Sequence, residues 1–573
     1  MNRTPPQHPH SFRVAVVLAA LAFGMLALIA RAVHLQVVTA DYLQNQGNSR
    51  HLRAVEDGAH RGMILDRQGE PLAISTPVES VWANPDELAQ QREHWPALTQ
   101  LLGIAPRELT ALIAKHAGRE FMYLKRHVPP DLAEQVMARK IPGVALKREY
   151  RRYYPSGAVA GHAVGFTNVD DNGQEGLELA YDAWLRAQPG RMRVLRDRFG
   201  NLVETVESIN LPAAGKDLRV SIDRRVQYLA YRELSAAVER ANARGGSAIV
   251  LDARTGEVLA LVNEPSFNPN NRGRLRSNVY RNRAVTDMFE PGSTLKPFTV
   301  AAALESGKFS PNTVVETSPG LFKVGANWVR DTHDYGRLTV SGIIEKSSNV
   351  GAAKIAFAMN KDKLSDMFRA AGFGNATGSG LPGEVAGLLN PPKRWGPIEH
   401  ATLSFGYGIS VTPMQLARAY TALANDGVLM PVTLLARAEP AAGTRIMSQK
   451  TAREVRAMLE MAVSKDGTGK LAQVAHYRVA GKTGTVHKLG DAGYAKSDYV
   501  AFFAGFAPAT DPRLVMVVLI DEPGSGGHFG GEVAAPVFSH VMAGALRLLN
   551  IPPDAPDIPV RRMAAWPAVE VRS

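Results

Sequence analysis

Strand-forming sequence in the C-terminal part of this chain comes in two clusters held far apart. Residues 248–252 and 258–262 are apolar runs joined across Arg254-Thr255-Gly256, which reads as a hairpin of buried strands. The next comparable runs are 478–485, 499–506 and 514–521. Between the clusters the sequence is helical and loop-like to about Asp466. Strands at both ends with helices between predict one antiparallel sheet assembled from distant segments, with a helical subdomain inserted in it. Residues 223–237 and 536–549 carry apolar side chains at helical spacing and are expected to flank that sheet. The fold class is α/β (α+β), in several domains.

A chain of 573 residues is too long for one ordinary domain. Residues 38–218 have a different texture: polar, basic and broken by turns. Residues 61–73 read as strand, turn at Gln68-Gly69, strand, and residues 95–117 as one or two helices. Tyr154-Pro155-Ser156-Gly157 reads as a turn, and Pro189-Gly190 stops the apolar stretch 173–185. This region is expected to be an extended α+β pedestal without a catalytic cluster. Residues 14–30 hold no charge or strongly polar group, and Arg3 and Arg13 precede them. That run is at the short end for crossing a bilayer. The basic flank places the N-terminus in the cytoplasm and the remainder outside. A cleaved signal is the rival, because Ala30-Arg31-Ala32 has the look of a cleavage site. The length of the run and the arginine inside that site favour an uncleaved single-pass anchor. The expected division is therefore 1–13 cytoplasmic, 14–37 anchor, 38–218 pedestal, 219–550 catalytic domain and 551–573 a Pro-rich tail, disordered or loosely docked.

The net charge of +12 is spread along the chain and reads as a basic surface, with no motif for nucleic acid. There is no cysteine, which excludes disulfides and thiolate metal sites. Gly481-Lys482-Thr483 ends like a phosphate-binding loop, but His476 stands where the first glycine belongs. There is also no G-x-S-x-G elbow and no H-E-x-x-H pair.

Three signatures occur in fixed order: Ser293-Thr294-Leu295-Lys296, Ser347-Ser348-Asn349 and Lys482-Thr483-Gly484-Thr485. As S-x-x-K, S-x-N and K-T-G they mark serine acyltransferases that react with penicillins. On a helix, Ser293 and Lys296 share a face. A serine hydroxyl needs a base, and Lys296 serves only when neutral. Burial and a second ammonium at Lys482 would both lower its pKa. Ser347 can relay a proton to the leaving amine, and Asn349 can hold Lys296 or a substrate amide. Residues 479–485 read as a strand that puts Thr483 and Thr485 on one face, where two hydroxyls can bind a carboxylate. Gly481 and Gly484 would let another backbone approach, so that a peptide substrate adds as an extra strand. The backbone N–H groups of Ser293 and Thr485 would form an oxyanion hole.

The segment from Asn282 through Phe289-Glu290-Pro291-Gly292-Ser293 to Phe298 resembles the active-site segment of the division-specific class B penicillin-binding proteins of Gram-negative bacteria, the penicillin-binding protein 3 type. Lys346 to Gly351 and Ser404-Phe405-Gly406-Tyr407-Gly408 match as well. Upstream, Arg61-Gly62, Tyr154-Pro155 and Glu175-Gly176-Leu177-Glu178 resemble the family's pedestal signatures. The resemblance spans the apolar run to about Pro553. It implies a membrane-anchored D,D-transpeptidase of septal peptidoglycan, in the bacterial inner membrane with its catalytic domain in the periplasm. The donor would be a stem peptide ending in D-Ala-D-Ala, and the acceptor a meso-diaminopimelate amine of a neighbouring stem. β-Lactam antibiotics would acylate Ser293. The implied partners are a multi-spanning lipid II polymerase and other division proteins, with no metal and no cofactor. Tyr407, Phe529 and the residues of the Lys482 strand are the implied substrate contacts.

Two positions depart from the family pattern. His487 stands where arginine or lysine is usual, and His528 where tyrosine is usual. Both lie beside the substrate strand by motif position and point to a specialised second copy as readily as to drift on the cleft rim. A D,D-carboxypeptidase stays open on the motifs, because only the acceptor differs. A class A β-lactamase needs a deacylating glutamate, and no E-x-x-x-N stretch lies between Asn349 and Lys482. A penicillin-binding sensor would need a cytoplasmic output.

Overall fold

The structure, a computed structural model, describes residues 10–42, 52–196, 202–273, 277–439, 441–490 and 493–555. The expected positions of Arg3 and of most of the C-terminal tail lie outside them. The chain forms two compact units: Met1–Ala59, Pro77–Tyr150 and Ala187–Ala214 make the first, and His60–Thr76, Arg151–Arg186 and Gly215–Ser573 the second. Residues 60–76 and 151–186, read from the sequence as pedestal, thus pack with the second unit.

In the first unit the apolar run is a helix, His10–Val33, prolonged by one π-helical turn, His34–Val38. Phe12–Val38 is long and apolar enough to cross a membrane, and none of it is buried within the protein. The span is thus longer than the uncharged run, because Val33, Leu35, Val37 and Val38 extend the apolar surface past Arg31. This fits a single-pass anchor. Strands Leu52–Asp57, Gly190–Arg196 and Leu202–Asn210 form a three-stranded antiparallel sheet. Helices Trp95–Leu102 and Pro106–Lys115 fall where helical spacing predicts them. They bury Leu98, Leu102, Leu109 and Ile113 against Val81 and Met122.

The second unit is built on a five-stranded sheet, with neighbours in the order Val258–Glu264, Gly245–Asp252, Leu514–Asp521, Gly493–Ala507 and Ala480–Gly490. All four pairings are antiparallel. The strands read as unbroken apolar runs because both faces are covered. Ala248, Val250, Met516 and Val518 meet helices Arg224–Arg240 and Ala535–Leu548. Ile249, Leu251, Val515 and Val517 meet the helical insert, through Phe298 and Tyr420. The two-residue alternation of a strand sorts one run into two cores. Asp223 caps the first of those helices, its side chain accepting from Arg225 N–H.

Two features differ from the sequence reading. The insert carries short two-stranded pairings, among them Leu321–Val324 with Asn327–Arg330, where only helix and loop are legible. The start of the tail is firmly docked: Ile551 is buried, its carbonyl accepts the Tyr477 hydroxyl at 2.7 Å, and Asp554 accepts Arg478 N–H at 2.7 Å.

Candidate active site

The serine signature begins in a short 3-10 turn, Gly292–Leu295, that runs into helix Lys296–Glu305. Pro297 sits in the first helical turn, where a missing N–H costs nothing. Gly292 has φ +52°, and a Cβ there would lie 2.6 Å from Val486 Cγ1. Only glycine lets the turn close on the Ala480–Gly490 strand. Ser293 is half-buried, and Lys296, one helical turn on, is fully buried.

Lys296 Nζ donates to Ser347 O at 2.5 Å, Ser347 Oγ at 3.2 Å and Asn349 Oδ1 at 2.8 Å. Every one of these acceptors is uncharged. Burial, and then the Lys482 ammonium, push the Lys296 amine well below the ordinary lysine range, against a weaker opposing pull from Asp331. Burial brings Lys482 itself down to about 7. The predicted meeting of the first two signatures is therefore realised, with Asn349 on Lys296.

The S-x-N segment lies between helices Val340–Lys346 and Asn349–Phe357. Ser347 ends the first in the left-handed region, φ +62°. A residue the sequence reading missed holds this segment. Asp331 Oδ1 accepts Asn349 N–H at 2.5 Å and Val350 N–H at 3.0 Å, while Oδ2 accepts the Ser348 hydroxyl at 2.5 Å. A carboxylate at a helix N-terminus satisfies free N–H groups and suits the helix field. Arg330, beside it, accepts Asn349 Nδ2–H on its carbonyl at 3.0 Å.

The third signature forms the sheet edge. Thr483 and Thr468 share a hydroxyl hydrogen bond of 2.8 Å, and Thr485 Oγ1 accepts Gly530 N–H at 2.9 Å. The strand glycines have a reason other than substrate approach. A Cβ at Gly484 would fall 1.9 Å from Phe502 Cε2, and one at Gly481 2.4 Å from Phe503 Cζ. The rings of the neighbouring strand, rather than an incoming backbone, require them. The strand is the last of the five and pairs with one neighbour in the sheet.

Tyr407 stands edge-on to Tyr494 at 5.9 Å, and burial pushes its hydroxyl up to about 12. His487 and His528 are brought together by a residue that sequence reading passed over. Tyr499 faces His487 at 4.5 Å and stacks on His528 at 4.2 Å, and His528 contacts Phe529 at 4.3 Å. Cross-strand register explains it, since Tyr499 pairs with His487.

A serine and a buried lysine at a helix start, beside a lysine-bearing edge strand of an antiparallel sheet, define a class: serine acyltransferases of the transpeptidase fold. The family model described as the penicillin binding protein transpeptidase domain matches residues 246–543, and that of the penicillin-binding protein dimerisation domain matches residues 56–220. The chain is 43% identical over 550 residues to peptidoglycan D,D-transpeptidase FtsI of Escherichia coli K12, covering 95% of this chain and 93% of that one. It is 44% identical over 548 residues to the probable peptidoglycan D,D-transpeptidase PenA of Neisseria gonorrhoeae, covering 95% and 94%. The apo transpeptidase domain of Burkholderia pseudomallei penicillin-binding protein 3 superposes with a TM-score of 0.55 at 49% identity, over 58% of this chain and 97% of that one. The chain belongs to the penicillin-binding protein transpeptidase family, alongside the FtsI and PenA D,D-transpeptidases.

Proposed function

We propose that the protein cross-links peptidoglycan stem peptides through an acyl-enzyme on Ser293. The observation that carries this reading is Lys296: a buried lysine held by neutral acceptors, one helical turn after a half-exposed serine. Such an amine gives up its proton more readily than an ordinary lysine and can act as a base. Ser293 Oγ attacks the carbonyl carbon between the last two D-alanines while Lys296 Nζ takes its proton. The N–H groups of Ser293 and Thr485 hold the oxyanion. Lys482 and the Thr483 and Thr485 hydroxyls hold the terminal carboxylate, with Gly484 between them. The C–N bond then breaks, and Ser347 Oγ passes the proton to the leaving D-alanine amine. Asn349 keeps Lys296 aligned. A meso-diaminopimelate amine of a second stem attacks the acyl carbon and returns the proton to Ser293 Oγ. Tyr407, His487, His528 and Phe529 wall the cleft that admits both strands. A β-lactam takes the donor's place and stays on Ser293.

The domain reading is part of the same proposal: an anchor over 14–37, a pedestal over 38–218 and a transpeptidase domain over 219–550. With a cytoplasmic N-terminus, the anchor would hold the catalytic domain in the periplasm, at the septum, beside a multi-spanning lipid II polymerase.

Mass spectrometry after exposure to a β-lactam tests the chemistry. One adduct is expected, on the peptide holding Ser293, and none in Ser293→Ala; an adduct that persists in Ser293→Ala refutes the assignment. Depletion in the host tests the septal role: filaments support it, and normal division argues for a redundant copy.

A further inference from the structure

Glu290 lies three residues before Ser293 and is 8% exposed. The backbone on either side of it is joined to segment 406–411. Phe289 and Val411 exchange N–H···O bonds of 3.0 and 2.9 Å, and Gly292 N–H donates to Gly406 O at 3.0 Å. Within this frame Glu290 Oε1 accepts Gly408 N–H at 2.7 Å. The same oxygen accepts the Tyr494 hydroxyl at 3.0 Å. Tyr494 starts the Gly493–Ala507 strand, directly after the Ala480–Gly490 strand that carries Lys482. Its own ring stands against Tyr407. One carboxyl oxygen therefore ties together the serine turn, the Tyr407 loop and the start of the strand paired with the substrate strand.

The second oxygen, Oε2, is buried and has no hydrogen-bond partner among the described residues. The side chain lines a cavity of about 290 Å³ shared with Phe289 and His487. An unpaired buried carboxyl oxygen is costly, and a side chain needed only for packing would not carry it. Burial pushes this carboxyl up, in keeping with such a site.

We propose that Glu290 is a positioning residue for acylation at Ser293: through Tyr494, which pairs with Leu489 of the substrate strand, it holds that strand and the Tyr407 loop in register with the serine turn. The cleft between Tyr407 and the substrate strand then keeps a fixed width. Displacement of the reacting groups by about 1 Å can cost a hundredfold in rate, so three walls held by one atom matter to the chemistry. The inference rests on Ser293 as the nucleophile.

The test is stopped-flow acylation of the purified full-length protein by a fluorescent penicillin, separating non-covalent Kd from the acylation rate constant, with Tm measured beside it. Glu290→Gln keeps a carbonyl oxygen for both donors and is expected to hold at least about a third of the rate constant. Glu290→Ala is expected to lose about tenfold or more, and Tyr494→Phe roughly threefold to tenfold, with Kd changing much less. Joined to Glu290→Ala, Tyr494→Phe should add almost nothing, because both remove the same tie. Tyr494 is half-exposed, so Tyr494→Phe keeps the test open where Glu290→Ala folds poorly. A wild-type rate constant in Tyr494→Phe, or a Glu290→Gln as slow as Glu290→Ala, overturns the proposal. A persistent adduct in Ser293→Ala overturns the nucleophile reading instead.

Discussion

Two pairs of buried cations in the second compact unit are treated in opposite ways. Arg61 and Arg152 converge on Glu178, with Nε–Oε distances of 2.7 and 2.6 Å, and all three are almost fully buried. Arg61 also reaches Asp182 at 2.8 Å. Burial alone would lower the Arg61 pKa, but the Glu178 charge and the hydrogen bonds outweigh it and raise it. The Arg61 guanidinium keeps its charge. Lys296 and Lys482 are buried as deeply, yet the hydrogen bonds of Lys296 go to neutral oxygens and the charge of Lys482 opposes its own. Their protons become easy to lose. A paired buried cation is architecture, and an unpaired one is a base. The same contrast explains why Arg61 and Glu178 stand out in the upstream signatures: they are two ends of one buried ion pair.

Removing one member from each side separates the two kinds of buried cation. Lys296→Met should lower the acylation rate by roughly a thousandfold or more. It should leave Tm unchanged or raise it, because a buried amine without an ionic partner opposes folding. Thermal melts beside acylation kinetics check both. Glu178→Gln should do the reverse. It strands the buried Arg152 guanidinium, leaves Arg61 with Asp182 alone, and should cost about 3–5 kcal/mol of stability. Denaturant unfolding of a soluble form lacking the apolar helix measures it, and the fraction that stays folded should still be acylated.

Asp331→Asn sharpens the lysine side. It weakens three hydrogen bonds that seat Ser348, Asn349 and Val350, each worth about 1 kcal/mol or somewhat more for a charged acceptor. Acylation is expected to fall about tenfold with Tm lowered. The smallest effect belongs to the rim of the arginine side. Arg186 pairs with Asp182 across one helical turn but is exposed, so Arg186→Ala should cost no more than about 0.5 kcal/mol. The gap between Glu178→Gln and Arg186→Ala measures what burial adds to an ion pair.

The elements that read well from sequence share a physical feature: their signal is local. The apolar runs 248–252 and 514–521 have one structural outcome when both faces are covered, and the hairpin around Thr255-Gly256 follows from its turn residues. The lysine at i+3 from Ser293 and its polar partners were legible because short motifs carry them. Asp331 was not, since its work depends on the Leu321–Arg330 hairpin folding back onto a helix start eighteen residues away. Tyr499 was missed for the same reason: its place between His487 and His528 is set by cross-strand register, which has no local spacing. Docking of Ile551 and Asp554 went unread because a proline-rich tail gives no sign of the pocket that receives it. In the sequence Gly481 and Gly484 look like space for a ligand, but the space is taken by Phe503 and Phe502.

Easier proton loss from Lys296 is the property on which this chemistry depends. It is tested most directly by nuclear magnetic resonance of the protein labelled at lysine Cε, with Lys296→Met to assign the signal. An unperturbed lysine loses its proton near about 10.4. Because burial and Lys482 lower the Lys296 pKa, the folded protein should release that proton at lower pH, and the acylation rate should rise with pH along the same curve. The two lysines are expected to titrate as a coupled pair, with Lys482 contributing near 7. A Lys296 signal that loses its proton well below the ordinary lysine range, in step with the rate, is the predicted result; an ammonium signal that titrates in the ordinary lysine range while acylation already proceeds at full rate below it would contradict that assignment.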